Sequence, residues 1–119
     1  MKTIMTVDDS ASLRQMVGFV LRDAGYNVVE AKDGADALSK MRSLEPDMLL
    51  TDINMPNMDG IQLLGEVKAN AEWRSVPMVM ITTEGSQAKV MEAVELGASG
   101  YVRKPFTADQ IKEKLTGLI

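Results

Sequence analysis

The chain contains no cysteine and no histidine. Without cysteine there is no disulfide framework, no zinc–thiolate site and no thiol chemistry. Without histidine there is no imidazole general base, no Ser-His-Asp triad and no histidine metal ligand. Long apolar runs are missing too. No segment reaches the roughly 18 apolar residues of a membrane span, and the stretch within Met1–Val7 is too short for the core of a signal peptide. A soluble, cytoplasmic protein with no membrane contact is expected. Nor is there an excess of positive charge. The net charge of −4 and isoelectric point near 4.8 exclude a surface built to grip nucleic acid or anionic lipid. The chemistry left to this chain runs on carboxylates, hydroxyls, lysine and arginine.

What is present is ordinary globular material, 45% hydrophobic and 25% charged over 119 residues, which fits one domain spanning 1–119. A domain of this size buries roughly 65–70% of its unfolded surface, so it needs no metal or disulfide to fold. The ten methionines read as adaptable core filler. Thr3–Val7 is a β-prone run. Ser10 then caps a helix with Leu13, Met16, Val17, Val20, Leu21 and Ala24 on one face, and Gly25 stops it. Asn27–Glu30 reads as a second strand. Gly34, Ala37, Leu38 and Met41 line a second helix that ends before Pro46. Met48–Thr51 has no alternation, as in a strand covered on both faces. Pro56–Gly60 is turn chemistry, and Asp59-Gly60 starts a third helix carrying Ile61, Leu64 and Val67. Trp73 lies in the following loop as an anchor. Pro77 opens a strand over Met78–Ile81, Val90, Met91 and Val94 belong to a fourth helix ending at Gly97, and Ser99–Arg103 is the last strand. Thr107 and Gln110 have capping-box spacing before a helix with Ile111, Leu115 and Leu118 on its buried stripe.

Five strand–helix units with short connections predict an α/β fold: a doubly wound, five-stranded parallel sheet of order 2-1-3-4-5, flavodoxin-like and flanked by five helices. Ligands in such sheets bind beyond the carboxyl ends of the strands, where the winding reverses between strands one and three. Asp8 and Asp9 follow strand one and Asp52 follows strand three. Thr82 and Lys104 follow strands four and five, so all five share one rim. Two unit charges about 4 Å apart interact by roughly 4 kcal/mol at an effective dielectric near 20. Three carboxylates therefore need a cation or raised pKa values to coexist. All-oxygen ligands suit Mg²⁺ or Mn²⁺, and Mg²⁺ also binds phosphate. A divalent cation, a lysine and a hydroxyl match what a phosphoryl group requires, and an aspartate oxygen can then act as nucleophile.

Four blocks carry a resemblance along the whole chain: Val7-Asp8-Asp9-Ser10, Asp52 through Gly60, Ile81-Thr82-Thr83-Glu84, and Gly97 through Phe106. Together they resemble the receiver domains of two-component response regulators, most of all the stand-alone chemotaxis regulators of the CheY type. The resemblance implies that Asp52 accepts a phosphoryl group from a CheA-like histidine kinase. It implies a Mg²⁺ ion held by the side chains of Asp9 and Asp52 and the backbone carbonyl of Asn54, with Asp8 acting mainly through water. Lys104, in a cis bond to Pro105, would contact the phosphoryl group. Thr82 would hydrogen-bond it, Tyr101 would turn inward as an aromatic switch, and Asn54 and Glu84 would tune the lifetime of the acyl phosphate. The face formed by the fourth helix, fifth strand and fifth helix would bind a target, such as a motor switch protein, with the receiver a monomer. Ile53 departs from the aromatic residue that the enteric chemotaxis protein has beside its phosphoacceptor.

Each residue also has a bland reading. Asp8, Asp9 and Ser10 are common capping residues, Asp52 suits a turn, Thr82 a strand end, Lys104 a solvated surface, and Tyr101 half-buried packing. Independent capping and turn residues have no reason to converge on one rim. Two other functions share the chemistry or topology. A haloacid-dehalogenase-like hydrolase carries its nucleophile after strand one and usually has a cap domain. A flavodoxin needs a phosphate loop rich in Ser, Thr and Gly where this chain has Asp8-Asp9-Ser10-Ala11-Ser12. Within the receiver reading, a phosphorelay intermediate is the alternative to target binding.

Overall fold

A run of parallel strands can be buried on both faces only if successive side chains find apolar partners above and below. The computed structural model, which describes residues 2–83 and 87–118, meets that condition. Its elements are β1 (Thr3–Val7), α1 (Ala11–Asp23), β2 (Asn27–Ala31), α2 (Gly34–Leu44), β3 (Met48–Asp52), α3 (Gly60–Ala69), β4 (Met78–Thr82), α4 (Gln87–Glu95), β5 (Gly100–Arg103) and α5 (Ala108–Leu115). The sheet order is β2-β1-β3-β4-β5 with parallel neighbours throughout, as the alternation predicts. No helix among the described residues is long and apolar enough to cross a membrane.

Two cores follow from the two faces. Ile4, Met48, Leu50, Val79, Ile81 and Val102 point to one side, where Val17 and Leu21 of α1 and Ile111 and Leu115 of α5 cover them. Met5, Val7, Leu49, Met78 and Met80 point to the other, beneath Ala37 and Met41 of α2, Ile61, Leu64 and Val67 of α3, and Ala93 of α4. Met5, Met41, Met48, Met55, Met78 and Met80 are all buried, in keeping with methionine as filler. Met16 departs from the expected apolar face of α1. It is 47% exposed, because α1 seats on the sheet through Val17 and Leu21, flanked by Leu13 and Val20, and Met16 falls outside that stripe.

The helix boundaries have identifiable causes. Ser10 accepts a hydrogen bond from the Leu13 amide, and Asp33 does the same for Asp36. Asp59 with Gln62 and Thr107 with Gln110 form capping boxes. Gly25 and Gly97 take φ of +97° and +105° after α1 and α4, a conformation that costs glycine little. Gly60 meets a different demand. Its amide donates to the Ile53 carbonyl at 2.8 Å. A Cβ there would run into the Asp52 carbonyl and stand 2.9 Å from the Ile53 Cα. Gly60 thus lets α3 begin flush against the strand end that carries Asp52.

Two glycines of α3 should therefore respond oppositely to alanine. Gly60→Ala should destabilise by about 2 kcal/mol or more through overpacking against backbone. Gly65, where an added Cβ would meet nothing within 4 Å among the described residues, should gain about 0.5–1 kcal/mol as alanine through helix propensity. Urea unfolding midpoints of the two variants check both signs.

Candidate functional site

Strand register delivers the site. Val7 pairs with Thr51, Asp52 with Ile81, and Thr82 with Arg103, so β1, β3, β4 and β5 end together. Asp8, Asp9, Asp52, Thr82 and Lys104 sit at or just past those ends. Carboxylate oxygens of Asp8, Asp9 and Asp52 lie within 4.8 Å of one another. Asp8 and Asp52 are buried, whereas Asp9 is exposed. The Lys104 Nζ donates to Asp52 Oδ2 at 3.2 Å, and the Asn54 amide donates to Asp52 Oδ1 at 3.3 Å. Backbone hydrogen bonds hold these loops in place: Ile53 N–H to the Ile81 carbonyl at 3.0 Å and Lys104 N–H to the Thr82 carbonyl at 2.7 Å. The Lys104–Pro105 peptide is cis.

The electrostatics are unbalanced. At about 5 Å and an effective dielectric near 20, each pair of carboxylates repels by about 3 kcal/mol, and among the described residues the one lysine at the cluster is hydrogen-bonded to Asp52 alone. Burial raises the Asp8 carboxyl above its ordinary value. The hydrogen bond from the Ser10 amide opposes that rise, Asp52 and Asp9 add to it, and Lys104 works against it. Asp8 Oδ1 accepts from the Ser10 amide at 2.9 Å, but its buried Oδ2 has no hydrogen-bond partner among the described residues. A buried carboxylate oxygen without a donor is costly unless protonated or facing a cation. The donor set is all oxygen, which fits a hard divalent ion such as Mg²⁺.

Thr82 is buried, and its hydroxyl donates to the Thr83 carbonyl at 3.2 Å. Tyr101 is 42% exposed, with the Lys114 ammonium 5.6 Å from its ring centroid, so the ring faces outward here. Between them lies a cavity of about 300 Å³ lined by Thr82, Thr83, Gln87, Val90, Met91, Tyr101 and Arg103. Ile53 is fully buried in the core under α2, α3 and α4. Its departure from an aromatic residue is thus a change of packing beneath Asp52 rather than of partner-facing surface. Glu84, expected to tune acyl-phosphate lifetime, lies outside the described residues.

Residues at this site also escaped the sequence reading. Arg14 donates from Nη1 to the Asp8 carbonyl at 2.6 Å. Gly60 supports Asp52 from beneath. The first has no signal in helical spacing, since an arginine on α1 reads as a solvated face. The second sits in the Asp59-Gly60 pair, which reads correctly as a helix start without disclosing what the glycine clears.

A sheet of this order with an acidic cluster and a lysine at its switch point defines a receiver, and the chain belongs to the response regulator receiver domain family, which matches residues 4–116. Among curated relatives it is similar to the chemotaxis protein CheY-3 of Vibrio cholerae, 43% identical over 94% of this chain and 87% of that protein. It is equally similar to the chemotaxis protein CheY of Pseudomonas aeruginosa, 43% identical over 94% of this chain and 91% of that one. The crystal structure of Vibrio cholerae CheY4 at pH 4.0 superposes with a TM-score of 0.94 at 38% identity, covering 100% of this chain and 99% of that one. Family membership sets the hydrolase and flavodoxin readings aside.

The raised Asp8 carboxyl sets a sign. A carboxyl that holds its proton more tightly folded than unfolded favours the fold at low pH, and that gain is lost as pH rises through the folded value. At pH 7 in EDTA, Asp8→Asn should therefore stabilise by about 1 kcal/mol, raising Tm by roughly 4 °C. It should also weaken any rise in Tm on adding Mg²⁺. Thermal denaturation of both proteins, with EDTA and with Mg²⁺, tests this. A lower Tm for the variant in EDTA would contradict it.

Proposed function

We propose that the chain is a phosphoryl-accepting switch: Asp52 takes a phosphoryl group from a histidine kinase, and a partner protein reads the change at the face of α4, β5 and α5. The observation that carries this reading is the Lys104 ammonium 3.2 Å from a buried Asp52 that shares its crevice with two further aspartates.

Asp9 and Asp52 would hold Mg²⁺ through their carboxylates, Asn54 through its carbonyl, and Asp8 largely through water. Mg²⁺ bound there neutralises the carboxylates and the oxygens of a transferring phosphoryl group. An Asp52 oxygen forms the new O–P bond as the P–N bond of a phosphohistidine breaks. The imidazole departs and the carboxylate becomes an acyl phosphate. These 119 residues contain no histidine, so the donor imidazole lies outside them. Lys104, now paired with the carboxylate, moves its charge-assisted hydrogen bond to a phosphoryl oxygen. The Thr82 hydroxyl leaves the Thr83 carbonyl for another phosphoryl oxygen, and Tyr101 enters the cavity beside it. Phosphorylation thereby biases a two-state element that already exists. Met91, Val94, Leu96 and Tyr101 are exposed on or just after α4 and on β5, and offer a target the apolar area a docking face needs.

Receivers of this kind accept phosphoryl groups rather than turn over substrates; small acyl phosphates would also load Asp52, and water would unload it. Asn54 and Glu84 would set how long the group persists. On this reading the donor would be a CheA-like kinase and the target a motor switch protein, a choice in keeping with relatives named as chemotaxis proteins. The protein would act in the cytoplasm as a monomer and a single receiver domain over 1–119.

Incubation with Mg²⁺ and a small acyl-phosphate donor should add one phosphoryl group, about 80 Da by intact mass. The addition should vanish in EDTA and in Asp52→Asn. Labelling of Asp52→Asn at the original level, or labelling that ignores EDTA, would refute the mechanism.

A further inference from the structure

Every polar atom of Asp8 except one is already committed. Its amide donates to the Ala31 carbonyl at 3.1 Å, its carbonyl accepts from the Arg14 guanidinium at 2.6 Å, and its Oδ1 accepts from the Ser10 amide at 2.9 Å. Oδ2 is the buried oxygen with no partner among the described residues. Arg14 is anchored in turn. Its Nε donates to Glu30 Oε1 at 3.3 Å, and its side chain is 17% exposed. The guanidinium thus spans from α1 to β2 and closes on the backbone of the cation loop.

We propose that Arg14 is a positioning residue for the cation site, acting through the Asp8 carbonyl and braced by Glu30. The inference rests on the proposed Mg²⁺ reading of the aspartate cluster. Arg14 donates to a main-chain oxygen, so it contributes no ligand of its own. Its planar fork matches two acceptors in different directions, which a lysine ammonium on a flexible stem cannot reproduce with the same rigidity. With the carbonyl, amide and Oδ1 held, the Asp8 carboxylate is fixed in place, and Oδ2 is its uncommitted oxygen within the three-aspartate cluster. Partners of metal ligands that fix orientation in this way typically contribute ten- to a hundredfold in affinity.

The sign of the effect separates positioning from plain electrostatics. A guanidinium beside a cation site repels Mg²⁺, so removing its charge should tighten binding if charge alone matters. Removing a positioning group should weaken it. Calorimetric Mg²⁺ titration of the metal-free protein gives the answer, with Tm in EDTA measured alongside. Arg14→Ala should bind Mg²⁺ at least tenfold more weakly. Arg14→Lys should fall between the alanine variant and the wild type. Glu30→Gln should weaken binding severalfold by loosening the brace. Arg22→Ala serves as the control. Arg22 reaches Glu30 only at 3.9 Å and has no hydrogen bond or ion pair to Asp8, Asp9 or Asp52 among the described residues, so its loss should leave affinity within twofold of wild type.

Unchanged or tighter binding in a folded Arg14→Ala protein would overturn the proposal. If that variant does not fold, wild-type affinity in both Arg14→Lys and Glu30→Gln would do so. An equal loss in Arg22→Ala would also overturn it, by showing a general charge effect. Absence of Mg²⁺ binding in the wild type would bring down the cation reading itself, and this inference with it.

Discussion

Like-charge repulsion at one rim of a parallel sheet is the constraint on which this structure turns. Three carboxylates within 4.8 Å oppose one lysine. Two of the three are buried, so solvent screens them poorly, and one carries an oxygen without a hydrogen-bond donor among the described residues. A chain selected only for stability would not place them so. The arrangement concentrates like charge in a poorly screened crevice, a repulsion that a divalent cation would offset.

The rest of the molecule holds that state in position. Parallel pairing brings four strand ends to one edge, and the hydrogen bonds from Ile53 to Ile81 and from Lys104 to Thr82 extend the alignment past the sheet. Gly60 removes a Cβ where α3 meets the Asp52 carbonyl. Arg14 and Ser10 hold Asp8 from two sides. The two apolar cores make the rim rigid, since strands covered on both faces cannot shift by one residue without turning their core side chains to the wrong layer. On the α4–β5 side the packing is open, with a cavity lined by Thr82 and the outward Tyr101.

The architecture was legible because apolar runs and helical faces alternate without interruption. The rim was legible because polar residues terminate those runs: Asp8 after β1, Asp52 on β3, Thr82 on β4 and Lys104 after β5. What could not be read depends on the third dimension. Met16 shares a helical face with Val17 yet sits outside the stripe that touches the sheet. Ile53 adjoins Asp52 in sequence but points into the core. Arg14 looks like any solvated arginine on a helix until its reach to the Asp8 carbonyl is seen. Tyr101 shows the opposite limit: an outward ring and a neighbouring cavity are compatible with a switch, and no pattern of residues could have measured that space.

The most direct test of the account asks which carboxylate becomes the acyl phosphate. Borohydride reduces an aspartyl phosphate to homoserine, and peptide mass spectrometry then locates the altered residue. After treatment with Mg²⁺ and a phosphoryl donor, the account predicts homoserine at position 52 and unmodified aspartates at 8 and 9. Homoserine at position 8 or 9 with Asp52 intact would contradict it.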